Sequence, residues 1–426
     1  MKLRDKAFLF ILIFLLVQFF IFKEIMEFST NKEVDYVNVV DFGAKGNGIT
    51  DDSKAIGNAI RAAKKKGVLM FPKGVYLVSK ISFISNIEYI GHNARISAKG
   101  VTVPVILKNT SNVKVSGITF DANHISKKAL SVIASNNIKI INCSFENARD
   151  FGLYTEQLTD SVIDKSLAIH NGDQEFHDAG FSVNGENVII SDSIARNNEA
   201  NGFRIFGTDK FVGGRITISD AHSHHNTNHG FLTTPTGKVQ DTPSHIVISN
   251  SIANNNGSKG MYSGFAIHYS SQSMVQNSVS YENEEHGFVL MDNSFCILKG
   301  NIARKNGANG IRIQADWNRT EDSQSGVHDA IVNDNIIVGN GIGEGASSKD
   351  AITVEGNSYN IQIKSNNIFK NLGNSINIKT HRGYTDCYNL YIEDNIISGN
   401  GTDMINNQSQ KENRIFGKNI INGKEK

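Results

Sequence analysis

Tyr154, Glu156, Arg204 and His229 are the side chains of this sequence best suited to moving a proton beside a carboxylate. A tyrosine or histidine can take or return a proton, and a guanidinium neutralises the charge that builds on an acid group when its neighbouring carbon is deprotonated. On a sugar acid, that chemistry is β-elimination. His268, His286 and Arg312 recur downstream, and Trp317, the single tryptophan, lies in the polar segment Asp316 to Gly326; these four are candidate sugar contacts. The segment Asn171 to Ala179 (NGDQEFHDA) adds Asp173, Glu175 and Asp178. Three carboxylates this close could hold Ca²⁺, whose ligands are oxygens, although the EF-hand spacing is absent and a solvated acidic loop is the plainer reading.

The run Ala221 to Asn226 (AHSHHN) invites a metal reading, but strand alternation is expected to turn His222 inward and His224 outward, and divergent rings make poor ligands. Cys143, Cys296 and Cys387 are few, odd in number and far apart, which predicts buried thiols.

These residues are brought together by repetition. A glycine followed by an alternating run recurs at Gly152, Gly180, Gly202, Gly230, Gly264, Gly287 and Gly310, at intervals of 28, 22, 28, 34, 23 and 23 residues. A second marker recurs at Ser251, Ser278, Asn301, Asn335, Asn367, Asn395 and Asn419. Units this short cannot bury an apolar face alone, so they must stack, strand on parallel strand. The expected architecture is an all-β, single-stranded parallel β-helix. Counting from each glycine, the first and third residues point inward, and the second and fourth point out. The second positions read Tyr154, Ser182, Arg204, Leu232, Ala266, Val289 and Arg312; Glu156 and His268 fall at fourth positions, and His229 and His286 directly precede their glycines. All are predicted to share one exposed face.

Asp51 to Lys66 (DDSKAIGNAIRAAKKK) places Ile56, Ala59, Ile60 and Ala63 at helical spacing behind an Asp/Ser start, predicting a capped amphipathic α-helix that covers the first coil. Around it, NVVDFGAKGNGITDD (Asn38 to Asp52) and VLMFPKGVYLVS (Val68 to Ser79) resemble the opening of the pectate-lyase-superfamily domain shared by rhamnogalacturonase-like and mannuronan-epimerase-like proteins. The resemblance implies a right-handed β-helix and chemistry on acidic polysaccharides. Asn228-His229-Gly230-Phe231 and His286-Gly287-Phe288 are similar to epimerase phrases, but Tyr154-Thr155-Glu156-Gln157 stands where that family carries Asp-Pro-His-Glu. The departure weighs against C5-epimerisation. A glycoside hydrolase needs two carboxylates flanking the bond, and the outward columns supply Glu156 alone. Lyase-type elimination on a uronate polymer is the reading preferred here, with hydrolysis, epimerisation and a non-catalytic polysaccharide-binding surface protein as alternatives.

Composition agrees. Glycine (38) and about 50 asparagines are abundant, whereas proline (4) is scarce, a profile of short strands and tight turns. Lys plus Arg number 43 against 42 acidic residues, which argues against a nucleic-acid partner. Residues Ala7 to Phe22 carry no charge and follow Lys2, Arg4 and Lys6. Sixteen residues are short for a span and no small-residue cleavage site follows, so the expectation is an uncleaved membrane anchor, or else a signal peptide, with the body extracytoplasmic. The predicted organisation is export segment 1–30, N-terminal cap 31–85 and coils 86–426, as a monomer.

Overall fold

The computed structural model describes residues 35–426 except 174, 259, 261, 317–324, 347, 381–385, 409–413, 423 and 426. The predicted export segment and Trp317 lie outside the described residues. Among the described residues, no helix is long and apolar enough to cross a membrane.

The alternating runs form short parallel strands stacked in one continuous ladder, a β-solenoid. The predicted register holds. Leu153, Phe181, Phe203, Phe231, Phe265, Phe288 and Ile311 are paired coil to coil and lie in the core. From Phe181 to Phe288 the rings stack at 4.7–4.9 Å, the spacing of neighbouring strands, so each ring is packed by the coil below and the coil above. The marker glycines are needed for close approach. A Cβ on Gly202 would fall on the Ser223 hydroxyl and 2.7 Å from the Gly230 carbonyl oxygen of the next coil.

One corner is an asparagine ladder. In Asn171, Asn198, Asn226, Asn256, Asn283, Asn306, Asn340, Asn371 and Asn400, each side-chain amide donates to the next Oδ1 at 2.8–3.0 Å. Many turn asparagines, including Asn142, Asn187 and Asn250, adopt the left-handed backbone that asparagine tolerates. The second marker forms another ladder, in which each backbone N–H of Ser251, Ser278, Asn301, Asn335, Asn366 and Asn395 donates to the next side-chain oxygen. Asn366, not Asn367, belongs to it. The three-residue strands after this marker bury their middle residue: Ala195, Ser223, Ala253, Ala303, Ile337 and Ile368. Asn367 is therefore exposed.

The same offset corrects the histidine run. His222 does pair with Ile194 and Ile252, but that column faces outward, so His222 and His224 flank buried Ser223 with their rings 4.4 Å apart. His222 Nε2 lies 2.6 Å from Asn254 Oδ1.

The helix Ser53–Ala63 buries Ile56, Ala59, Ile60 and Ala63 against the first strands. Asp52 makes no side-chain cap bond to it; its carboxylate instead accepts the Lys45 and Gly46 amides at 2.7 and 3.0 Å. Stacking runs through the predicted boundary at residue 86, since Val37 pairs with Leu69 and Leu69 with Tyr89. Cys143, Cys296 and Cys387 are buried thiols, as expected.

Candidate functional site

Tyr154, Ser182, Arg204, Leu232, Ala266, Val289 and Arg312 are register partners in unbroken series, so the outward column forms as predicted. It is not exposed. Arg204 and Leu232 are each 1% accessible and His229 5%, because long insertions fold over this face. Asn201 Nδ2 holds the 171–179 loop by donating to the Phe176 and Asp178 carbonyls. That cover creates two environments, one around Arg204 and one three coils further along.

In the first, Tyr154 Oη donates to Glu156 Oε2 at 3.1 Å, and Lys128 Nζ stands 3.2 Å from the centre of the tyrosine ring. Lys128 arrives from the preceding coil, whose strand pairs Leu130 with Leu153. Burial pulls the Lys128 ammonium down to about 8, against the opposing pull of Glu156. Burial also raises the Tyr154 hydroxyl, and Glu156 adds to the effect. Arg204 Nη1 donates to Ser182 Oγ at 3.2 Å and its guanidinium lies 4.4 Å from the Phe206 ring centre. Its Nε and Nη2 have no hydrogen-bond partner among the described residues, and burial lowers its pKa to about 10. A buried cation with vacant donors is expensive to leave so, and an anion placed there would relieve it.

Beside it, Asp150, Asp173 and Asp178 bring carboxylate oxygens within 4.8 Å of one another. Burial and the neighbouring acids raise the Asp178 carboxyl well above the carboxylate range. Such an oxygen set fits a hard cation such as Ca²⁺. Asp173 and Asp178 were anticipated; Glu175 is exposed and outside the trio, with Asp150 in its place. Strand geometry explains the exchange, because Asp150 directly precedes the strand Phe151–Asp164, whose first residue pairs with Ala179 just after Asp178.

The second environment is a cleft of about 590 Å³ lined by His229, His268, His286 and Arg312, all anticipated, and by Phe176, Tyr262, Glu285 and Asp316, which were not. His229 Nδ1 accepts the Ser263 N–H at 2.9 Å and His286 Nδ1 accepts the Asn309 N–H at 3.1 Å. In the same column, Asn201 Oδ1 accepts the His229 N–H and Asn309 Oδ1 the Asp350 N–H. These histidines thus act as backbone caps. Burial lowers His229 to about 3 and His268 to about 4, and lowers His286 too, so all three are neutral at neutral pH. With Nδ1 accepting, His229 carries its proton on Nε2 and offers a donor rather than a base. Arg312 donates to Glu355 through Nε at 2.8 Å and through Nη2, with Nη1 3.0 Å from His286 Nε2.

Lys128 escaped the sequence reading because its coil lacks the marker glycine; the alternation ALSV against GLYT was the available signal. Glu285 was legible as the neighbour of His286 in EEHGF.

The family model for rhamnogalacturonase A/epimerase, pectate lyase-like, matches residues 36–239, and that for the right-handed beta helix region matches 211–358. Over these residues the chain is similar to pectate-lyase-like β-helix proteins. Two Azotobacter vinelandii relatives are mannuronan C5-epimerase AlgE2, 26% identical over 66% of this chain and 23% of the relative, and alginate lyase 7, 27% identical over 61% and 24%. The chain thus spans about a quarter of the length of these relatives. The A-module of mannuronan C-5 epimerase AlgE4, from the same organism, superposes with a TM-score of 0.68 at 17% identity, covering 90% of this chain and all of the module, which shows the shared right-handed fold.

Proposed function

We propose that this protein is an enzyme acting on a uronate-containing polysaccharide, by lyase-type β-elimination at the Arg204 environment. The observation that carries the reading is the buried guanidinium with two vacant donors beside Tyr154 and Lys128. A sugar carboxylate bound there would be neutralised, which acidifies the proton on the adjacent carbon. Lys128, lowered to about 8, is the base that removes it. The electron pair forms the new C=C bond as the glycosidic C–O bond breaks, and the Tyr154 hydroxyl supplies the proton that the leaving oxygen takes up. Glu156 holds that hydroxyl. Roles thus shift from the expectation: Lys128 joins, and His229 becomes a donor in the adjoining cleft.

The likeness to alginate lyase 7 supports elimination, and the likeness to AlgE2 supports the same proton removal followed by return to the carbon. Incubation with alginate, pectate and glycosaminoglycans, following unsaturated-uronate absorbance together with C5 configuration by NMR, tests the reading. Absorbance on any one polymer supports it; inverted C5 without absorbance replaces elimination with epimerisation, and neither signal refutes both. Ca²⁺ held by Asp150, Asp173 and Asp178 would brace the loop that carries Phe176 and His177. The apolar run Ala7 to Phe22 supports an extracytoplasmic location for this activity, which a reporter fused after residue 426 and probed by external protease would check.

A further inference from the structure

One coil carries three histidines where its neighbours carry other residues. On the strand His222–His224, His222 stands in register between Ile194 and Ile252, and His224 between Arg196 and Asn254. His225 takes the left-handed turn position that Asn197 and Asn255 hold on either side, with φ of 55° against 52° and 51°. An aliphatic residue at the first position and an asparagine at the turn already satisfy this scaffold, so stacking does not require histidine at any of the three. The rings nonetheless gather. His222 and His224 lie 4.4 Å apart, His224 and His225 5.1 Å apart, and the Nδ1 atoms of His224 and His225 approach to 2.8 Å. The divergence of rings that counted against a metal here is therefore absent.

That separation is the bite of a chelating pair. With metal–nitrogen bonds of about 2.0–2.1 Å, two donors at a right angle stand about 2.8–3.0 Å apart, and two at a tetrahedral angle about 3.3–3.4 Å. Right-angled nitrogen pairs suit the square-planar or tetragonal preference of Cu²⁺ and Ni²⁺. The rings are also prepared for ligation. Asn254 Oδ1, 2.6 Å from His222 Nε2, accepts the proton on that nitrogen and fixes the ring that packs against His224. Burial, and then the neighbouring His222, His225 and Arg196, lower the His224 imidazole to about 4, so at neutral pH it offers a lone pair and carries no charge. Ligation through both Nδ1 atoms leaves each ring neutral with its proton on Nε2, so no proton is gained or lost. Arg196, the register partner of His224 on the preceding coil, opposes a bound cation, and its removal should tighten binding.

From this we infer that His224 and His225 form a site for a divalent transition metal of the copper(II) or nickel(II) class, bound through both Nδ1 atoms, with water at the remaining positions and His222 as a positioning residue. The site is separate from the groove. Its strand pairs with the strands Ile194–Arg196 and Ile252–Asn254, whereas Arg204 and Leu232 belong to the ladder of Asn201–Gly207 and Phe231–Pro235. It also differs from the Asp150, Asp173 and Asp178 trio, whose oxygens suit a hard cation. The inference therefore stands or falls independently of elimination at Arg204.

The test is calorimetric titration of the full chain with Cu²⁺, in excess Ca²⁺ so that the carboxylate trio is occupied, with the electron paramagnetic resonance spectrum recorded at one equivalent. The expected result is a saturable site whose hyperfine pattern shows two equatorial nitrogens, with Zn²⁺ bound at least tenfold more weakly. His225→Asn gives this coil the turn residue of its neighbours and should weaken Cu²⁺ at least tenfold without lowering the melting temperature; His224→Asn should do the same, and His225→Asn alone decides if that second variant fails to fold. Arg196→Gln should tighten Cu²⁺ at least twofold. His222→Ile, again the residue of the adjoining coils, should weaken binding while keeping the two-nitrogen pattern, and loss of a nitrogen there would overturn its positioning role. Cu²⁺ affinity unchanged in His225→Asn, a spectrum without nitrogen donors, or Zn²⁺ bound as tightly as Cu²⁺ overturns the inference.

Discussion

Replacing Arg204 with methionine separates a functional guanidinium from a structural one. The side chain is 1% accessible, makes one hydrogen bond, to Ser182 Oγ, and leaves Nε and Nη2 vacant over the Phe206 ring. A hydrogen bond to a charged partner contributes about 1.5–3 kcal/mol, so two new bonds to a bound carboxylate are worth roughly 3–6 kcal/mol. At about 1.4 kcal/mol per tenfold, Arg204→Met should lower kcat/KM on a uronate oligosaccharide by roughly 10²–10⁴-fold. Stability should move the other way or not at all. Among the described residues no carboxylate forms an ion pair with Arg204, and replacing buried charges by apolar side chains of similar volume is often neutral or stabilising by about 1–4 kcal/mol. The measurements are initial rates of unsaturated-uronate formation and a melting curve on the same preparation. A variant that melts earlier yet keeps its kcat/KM would show that Arg204 holds the coil together and touches no substrate, and the reasoning would fail.

Other expectations follow from the same geometry. Lys128 must be neutral to take a proton, so kcat/KM should rise with pH through about 8, and Lys128→Arg should abolish turnover; a flat profile across pH 7–9 would remove Lys128 as base. Because its folded pKa lies below the unfolded value of 10.5, the unfolded chain binds more protons between about 8 and 10.5, and this group's contribution to stability should grow with pH across that window. Asp178 has the opposite sign: its folded pKa is raised, so its stabilising contribution is full below the ordinary carboxylate range and is lost as pH rises through the raised value. Ca²⁺ should restore it, raising the melting temperature of the wild type at neutral pH but not that of Asp178→Asn. His286→Ala should destabilise by about 1–3 kcal/mol through the unpaired Asn309 N–H, while His286→Asn should recover most of it, as Asn201 and Asn309 do in the same column; equal losses in both would show that the cap is immaterial. Asn256→Ala removes a side chain that donates to Asn283 and accepts from Asn226, and should cost roughly 2–4 kcal/mol in a denaturant series.

The architecture was legible because its signals are local and repeated. A glycine before each run, a large apolar residue directly after it (phenylalanine in five of the seven) and an asparagine at many turns state the same constraint coil after coil, and the register read from Gly152 to Gly310 is the register observed. Where the signal was a single residue, it misled. Asn366 and Asn367 are adjacent, and nothing in the letters says which one turns inward; the buried middle residue of a three-residue strand decides it. His222 fell to the same offset. The site was legible only as a column. That Arg204 is buried, that Lys128 lies over Tyr154 and that Asp150 joins Asp173 and Asp178 all depend on where inserted loops fold back, and no periodicity encodes that.

The division between coil and loop also explains how one stack can carry both a rigid scaffold and a polarised groove. Backbone pairing and the asparagine and phenylalanine ladders satisfy each coil independently of what its second and fourth positions carry, so those positions can change chemistry without altering register. His229 shows the economy of this arrangement: Nδ1 serves the ladder by capping the next coil, which fixes the proton on Nε2 and aims a donor at the cleft, whereas at His286 the same cap turns the Nε2–H toward Glu285 at 3.2 Å. Burial keeps those rings neutral, so they bring donors and no charge to the cleft, while Arg204 brings a buried cation to its neighbour. If the histidines were charged, the cleft would become cationic and the contrast along the groove would disappear. The imidazole NMR shifts of His229 and His268 should therefore remain those of neutral rings from pH 8 down to pH 6, and a ring that titrates in that range would show that the groove is not polarised in the way its burial implies.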